Sequence, residues 1–185
     1  MAQHLPHKVV SGTTLVLGGA RSGKSEFAEK LIINSGLKPV YLATARGEDQ
    51  EMRERIELHQ QRRNNAVRSG WLTIEEPLAL DNALTNCAFE GRAVLVDCLT
   101  LWITNLMVAG ADINREISNL SQHLDQLAAP VVFVSNDVGL GVVPENKMAR
   151  EFIDLAGLAH QKIAEQADHV YFITAGLPQA LKWQD

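Results

Sequence analysis

Eight consecutive residues, Gly18-Gly19-Ala20-Arg21-Ser22-Gly23-Lys24-Ser25, fit the pattern G-x-x-x-x-G-K-[ST]. That spacing does phosphate chemistry: glycines let backbone N–H groups close around a polyphosphate, a lysine reaches its outer phosphates, and a hydroxyl helps to hold Mg²⁺. The flanks agree with the pattern. Thr13-Thr14-Leu15-Val16-Leu17 is a short apolar, β-branched run that predicts a buried strand. Glu26-Phe27-Ala28-Glu29-Lys30-Leu31-Ile32-Ile33 carries apolar residues at helical spacing. A strand, a glycine loop and a helix N-terminus around one spot make an anion site. Lys24 is assigned to the β- and γ-phosphates, and Ser25 to Mg²⁺. A Gly-rich turn with a chance Lys-Ser is the bland alternative, and the flanking elements disfavour it.

Other candidates follow the same logic. Ala93-Val94-Leu95-Val96-Asp97 is an apolar run ending in a carboxylate, placed to support Mg²⁺ beside a phosphate loop. Thr100 and Asn105 follow on a helix with Trp102, which reads as a packing residue. The charged segment 48–64 reads either as a solvated helix with pairs such as Glu51–Arg55, or as something sharper. On it Arg55, His59 and either Arg62 or Arg63 share one stripe. Cationic neighbours disfavour the imidazolium, and a neutral imidazole aimed at a phosphate is a nucleophile. Asn136-Asp137-Val138-Gly139-Leu140-Gly141-Val142-Val143-Pro144 reads as a shaped loop, either a connection or a substrate contact. His4 and His7 fall in the N-terminal stretch, and His123 reads as an exposed mid-helix residue. His160 and His169 show no metal-ligand spacing, and no zinc site emerges.

These residues need a scaffold. Strands are expected near 13–17, 39–43, 71–74, 93–97, 131–135 and 169–174. Helices are expected near 25–35, 48–64, 78–88, 99–109, 114–128 and 146–166. Such alternation predicts a mostly parallel sheet with helices on both faces, and ligands beyond the carboxyl ends of its strands. The segments to watch are thus 18–25, 44–48, 75–76, 97–100, 136–144 and 175–178. Residues 1–12 read as an N-terminal extension and 13–185 as one P-loop α/β domain.

Composition narrows the function class. A net charge of −5 argues against a general nucleic-acid binder. Cys87 and Cys98 suggest no disulfide framework, and Cys98, at the end of a strand, reads as an inert core thiol. No apolar run is long enough for a membrane span and no signal-type core opens the chain, so the expected compartment is the cytoplasm.

The ordered set of motifs resembles the bifunctional adenosylcobinamide kinase / adenosylcobinamide-phosphate guanylyltransferase family of cobalamin biosynthesis. The similarity runs from about Leu15 to Lys182. It rests on the phosphate loop, on Tyr41-Leu42-Ala43-Thr44-Ala45, on Arg55-Ile56-Glu57-Leu58-His59, and on Trp71-x-Thr73-Ile74-Glu75-Glu76-Pro77. It continues through Asp97-Cys98-Leu99-Thr100-Leu101-Trp102-x-x-Asn105 and the loop from Asn136 to Pro144, then Arg150, Asp154 and Gly157. The resemblance implies a RecA-like P-loop α/β fold, a homotrimer, and ATP and GTP as substrates with Mg²⁺. It implies that His59 carries covalent GMP, and that Ala43, Thr44, Ala45, Gln60, Gln61, Arg62, Arg63, Glu75 and Asp97 contact the nucleotide. The chain departs from the family in its longer N-terminal extension and at three further places. The stretch from His59 to Trp71 is a few residues longer, which makes Arg63 the favoured contact among 60–70; position 137 is Asp in place of Glu; and position 160 is His where Asn is common.

Two rival readings differ in class. A monofunctional P-loop small-molecule kinase would share the loop and Asp97 but leave the Arg55–His59 stripe unexplained. A GTP-dependent switch would need an Asn-Lys-x-Asp run after a strand, whereas Asn146-Lys147-Met148-Ala149 lacks the aspartate. Nucleotide-independent partner binding is weaker than either.

Overall fold

The computed structural model describes residues 11–45 and 70–183. A seven-stranded sheet carries the molecule. Its strands are β1 (Thr13–Gly18), β2 (Lys38–Ala43), β3 (Leu72–Glu75), β4 (Arg92–Asp97), β5 (Val131–Asn136), β6 (His169–Thr174) and β7 (Leu177–Trp183). The order across the sheet is β3-β2-β4-β5-β1-β6-β7. All neighbours run parallel except β6 and β7, which form an antiparallel pair. The helices are α1 (Lys24–Asn34), α2 (Leu80–Cys87), α3 (Leu99–Ala109), α4 (Ile113–His123) and α5 (Lys147–Gln166), with a 3-10 turn at Leu124–Gln126.

Strand periodicity divides the core in two. Leu15, Val40, Leu42, Val94, Val96, Val131 and Phe133 point to one face, under α2, α3, α4 and α5. Val16, Tyr41, Leu95, Val132, Val134 and Ile173 point to the other, where α1 seats Ala28 and Ile32. Because both faces are covered, the central strands are apolar throughout, as Val131 to Val134 illustrate.

The connections explain where a ligand fits. From β1 the chain moves through α1 to β2, on one side; from β5 it moves through α5 to β6, on the other. α1 and α5 therefore pack on opposite faces, and a crevice opens beyond the carboxyl ends of β1 and β5. Its lips are the loop after β1 and the loop after β5.

Three expectations need correcting. The helix expected over 114–128 ends at His123 and tightens into the 3-10 turn, because Leu127 donates back to Leu124. The strands expected end at 169–174, but a seventh follows: Ala175 (φ +52°) and Gly176 (φ +79°) make a two-residue hairpin turn into β7, so the segment 175–178 is that turn and the start of a strand. His123 is half-buried and hydrogen-bonds Asp81 at 2.5 Å, not exposed. The expected helix 48–64 lies outside the described residues.

Candidate active site

The phosphate loop bridges β1 and α1. Gly18 sits where a Cβ would lie 2.6 Å from the Ile173 carbonyl oxygen and 2.6 Å from Ser22 Oγ, so no side chain fits. Gly23 has φ +95°, and a Cβ there would come within 3.1 Å of Gly176 Cα. Arg21 adopts φ +56° between them. These left-handed residues curl the backbone so that its N–H groups converge. Gly23 supplies no side-chain cap to α1, which leaves that helix's first N–H groups to a ligand. The Ser22 hydroxyl oxygen is buried without a hydrogen-bond partner. Lys24 is largely buried, and its Nζ donates to the Gly19 carbonyl at 3.1 Å, bent over the loop it serves.

Both flanks brace this loop. Asp137 N–H donates to the Gly18 carbonyl at 3.1 Å, and Gly176 N–H donates to the Ser22 carbonyl at 2.8 Å. The second brace comes from the β6–β7 turn, within a segment the sequence marked for attention without expecting β7. Its signal was present: Thr174-Ala175-Gly176-Leu177 precedes a short run with a proline, compatible only with an edge strand.

Asp97 ends β4, two strands from β1 with β5 between them. The Tyr41 hydroxyl donates to Asp97 Oδ2 at 3.2 Å, a partner the sequence reading missed. Along the carboxyl edge the candidates thus follow one another: Glu75 after β3, Ala43 to Ala45 after β2, Asp97, then Asn136 and Asp137, then residues 18–25. Glu75 is exposed, at the far end of the row, and Ala43 accepts a hydrogen bond from Glu76 N–H at 2.9 Å. Gly19, Ala20 and Ser25 sit in the phosphate loop and first turn with their neighbours. His59, Gln60, Gln61, Arg62 and Arg63 lie outside the described residues.

Thr44 is the joint of this edge. It is fully buried, its Oγ1 donates to the Cys98 carbonyl at 2.7 Å, and it accepts from Cys98 N–H at 2.9 Å. Thr44 N–H donates to the Asp97 carbonyl, and its own carbonyl accepts from Asn105 Nδ2 at 2.7 Å. Asn105 also donates to the Pro77 carbonyl at 3.1 Å, so one buried amide ties the ends of β2, β3 and β4 together. Trp102 is buried and donates from Nε1 to the Leu78 carbonyl, a packing role as expected.

Two further side chains lie close to the crevice. Burial, reinforced by the Asp97 charge, pushes the Cys98 thiol up to about 11, so at neutral pH it is a protonated core group and no nucleophile. His160 Nε2 hydrogen-bonds the fully buried Ser135 hydroxyl at 2.7 Å. Burial holds its pKa below the usual imidazole value, with the Asp137 charge acting the other way. Arg150 Nη1 donates to the carbonyls of Pro144 and Glu145, closing the loop after β5 onto α5. Beside it a groove of about 560 Å³ runs along α5, lined partly by Asn114, Lys147 and Asp154.

Residues 14–181 match the family described as "Cobinamide kinase / cobinamide phosphate guanyltransferase". The chain belongs to that family. It is 48% identical over 170 residues to the "Bifunctional adenosylcobalamin biosynthesis protein CobP" of Pseudomonas aeruginosa, covering 91% of this chain and 96% of that one. It is 38% identical over 183 residues to the "Bifunctional adenosylcobalamin biosynthesis protein CobU" of Escherichia coli K12, covering 91% of this chain and 98% of that one. Among solved structures, the flagellar accessory protein FlaH of Methanocaldococcus jannaschii superposes with a TM-score of 0.54 at 12% identity, over 94% of this chain and 79% of that one. That likeness concerns the fold, which is RecA-like and P-loop. The family's description names two activities, which favours the bifunctional enzyme over the monofunctional kinase. Among the described residues no helix is long and apolar enough to cross a membrane.

Proposed function

We propose that this chain phosphorylates adenosylcobinamide and then converts the phosphate ester into adenosylcobinamide-GDP. The observation that carries the reading is the uncapped N-terminus of α1 beneath a glycine loop, with Lys24 folded over it, at a crevice shared with Asp97.

In the first step the terminal phosphoryl group of ATP or GTP moves to the hydroxyl of the cobinamide aminopropanol arm. The backbone N–H groups of residues 18–25 hold the phosphates, and Lys24 exchanges its Gly19 carbonyl for a phosphate oxygen. Among the described residues no three His, Cys, Asp or Glu side chains form a metal cage. Mg²⁺ takes one or two protein oxygens and finds the rest in phosphates and water, and the Ser25 hydroxyl at the start of α1 and the Asp97 carboxylate at the end of β4 are oxygens of that kind. Ser25 and Asp97 would hold it, and its charge would neutralise the phosphates. Tyr41 orients the Asp97 carboxylate.

In the second step His59 attacks the α-phosphate of GTP, the bond to the β-phosphate oxygen breaks, and pyrophosphate leaves. The phosphate of adenosylcobinamide phosphate then attacks the same phosphorus and expels the histidine. Two displacements through a covalent GMP–histidine replace one hard reaction between anions. Arg55 and Arg63 offset the repulsion. A homotrimer in the cytoplasm completes the reading.

The test is a product assay. With GTP, Mg²⁺ and adenosylcobinamide, mass spectrometry is expected to find adenosylcobinamide phosphate first and adenosylcobinamide-GDP after it. Only the monophosphate, after long incubation, would reduce the chain to a kinase.

A further inference from the structure

We propose that the loop between β5 and α5, from Asp137 to Asn146, together with Met148 in the first turn of α5, is the platform on which the corrin macrocycle docks; this rests on the kinase reading above. The loop presents large apolar side chains to solvent. Leu140 is 80% exposed, Val142 94%, Val143 74% and Met148 66%. A connection between a strand and a helix needs no such residues, and clustered exposed apolar groups on a soluble surface mark a binding site.

The loop is held in place. Asp137 N–H is bonded to Gly18, and Asp137 Oδ1 accepts from Gly139 N–H at 3.0 Å. At the other end Arg150 holds the carbonyls of Pro144 and Glu145, while Asn146 caps α5 by accepting from Met148 N–H and Ala149 N–H. Fixed ends present the apolar middle without a folding cost on binding.

Position selects the occupant. The loop forms one lip of the crevice whose other lip is the phosphate loop, and one hydrogen bond joins their bases. The acceptor of the phosphoryl group is a broad corrin ring, edged by methyl groups between amide arms, that carries its hydroxyl on one short arm. A ring lying on Leu140, Val142 and Val143 sends that arm toward the phosphates held at Lys24. A second copy of the chain is a poorer match. Four side chains offer on the order of 400 Å², about half of what each partner contributes to a stable protein interface.

The experiment uses the full-length double variant Leu140→Ser/Val142→Ser. Both side chains stand in solvent, so folding is expected to be unaffected, and thermal unfolding checks it. In steady-state phosphorylation of cobinamide at saturating GTP, the KM for cobinamide should rise about tenfold or more. The KM for GTP should stay within about twofold. The conservative pair Leu140→Met/Val142→Ile should restore the wild-type cobinamide KM. An unchanged cobinamide KM in the active double variant overturns the platform. So does sedimentation showing that the double variant falls to a smaller assembly, which would make the loop a contact between copies. A wild-type enzyme that leaves cobinamide unphosphorylated brings down the kinase reading itself, and the platform with it.

Discussion

Lys24, Ser25 and Asp97 were chosen from their types and spacing. Lys24 is largely buried, and its Nζ donates to the Gly19 carbonyl at 3.1 Å, a bond that a phosphate oxygen can replace. What the sequence could not show at this scale was partnership. Tyr41 reaches Asp97 across 56 positions of chain, and no local pattern announces such a contact. His160 is similar: no spacing gives it a role, but the fold sets it on Ser135. Its lowered pKa has a consequence for stability. The unfolded chain takes up a proton near pH 6.5, while the folded ring resists it until lower pH. Stability tied to the neutral ring is therefore present above that value and is lost as pH falls from the unfolded toward the folded pKa. Urea midpoints of the wild type should drop more between pH 7 and pH 5 than those of His160→Asn, which keeps a partner for Ser135. Equal drops would contradict the assignment.

At the scale of elements, the strands were legible because apolar, β-branched runs have few alternatives in an α/β chain. Five of the six expected strands differ from the observed ones by one residue at an end or both, and the sixth, 169–174, matches. β7 was missed because Leu177-Pro178-Gln179-Ala180-Leu181-Lys182-Trp183 is an exposed edge strand, and its mixed polarity gives no buried-strand pattern. The helix ending at His123 was drawn too long for a related reason: Leu124 and Leu127 continue the apolar pattern, but the backbone has already tightened. The joint at Thr44 is also an effect between elements, since Asn105 makes two bonds to loops far away in sequence. Asn105→Leu leaves the Thr44 and Pro77 carbonyls unpaired in a dry place. It should cost about 2–3 kcal/mol of unfolding free energy in urea. A loss under about 0.5 kcal/mol would show that the amide is replaceable.

For the molecule as a whole, sheet order decides function more than any single residue. Moving from β1 to one side and from β5 to the other opens the crevice, and the phosphate loop, residues 43–45, Glu75 and Asp97 lie along its carboxyl edge. The class of fold followed from alternating elements alone. The order of the strands did not, because pairing is set by contacts distant in sequence. The second activity is assigned to the Arg55–His59 stripe, which lies outside the described residues. The account stands or falls on His59, and intact-mass analysis after incubation with GTP and Mg²⁺ measures it directly. The wild-type chain should gain the mass of one GMP in an acid-labile adduct, and His59→Ala should gain none while still phosphorylating cobinamide. An undiminished GMP adduct on His59→Ala would contradict the central claim.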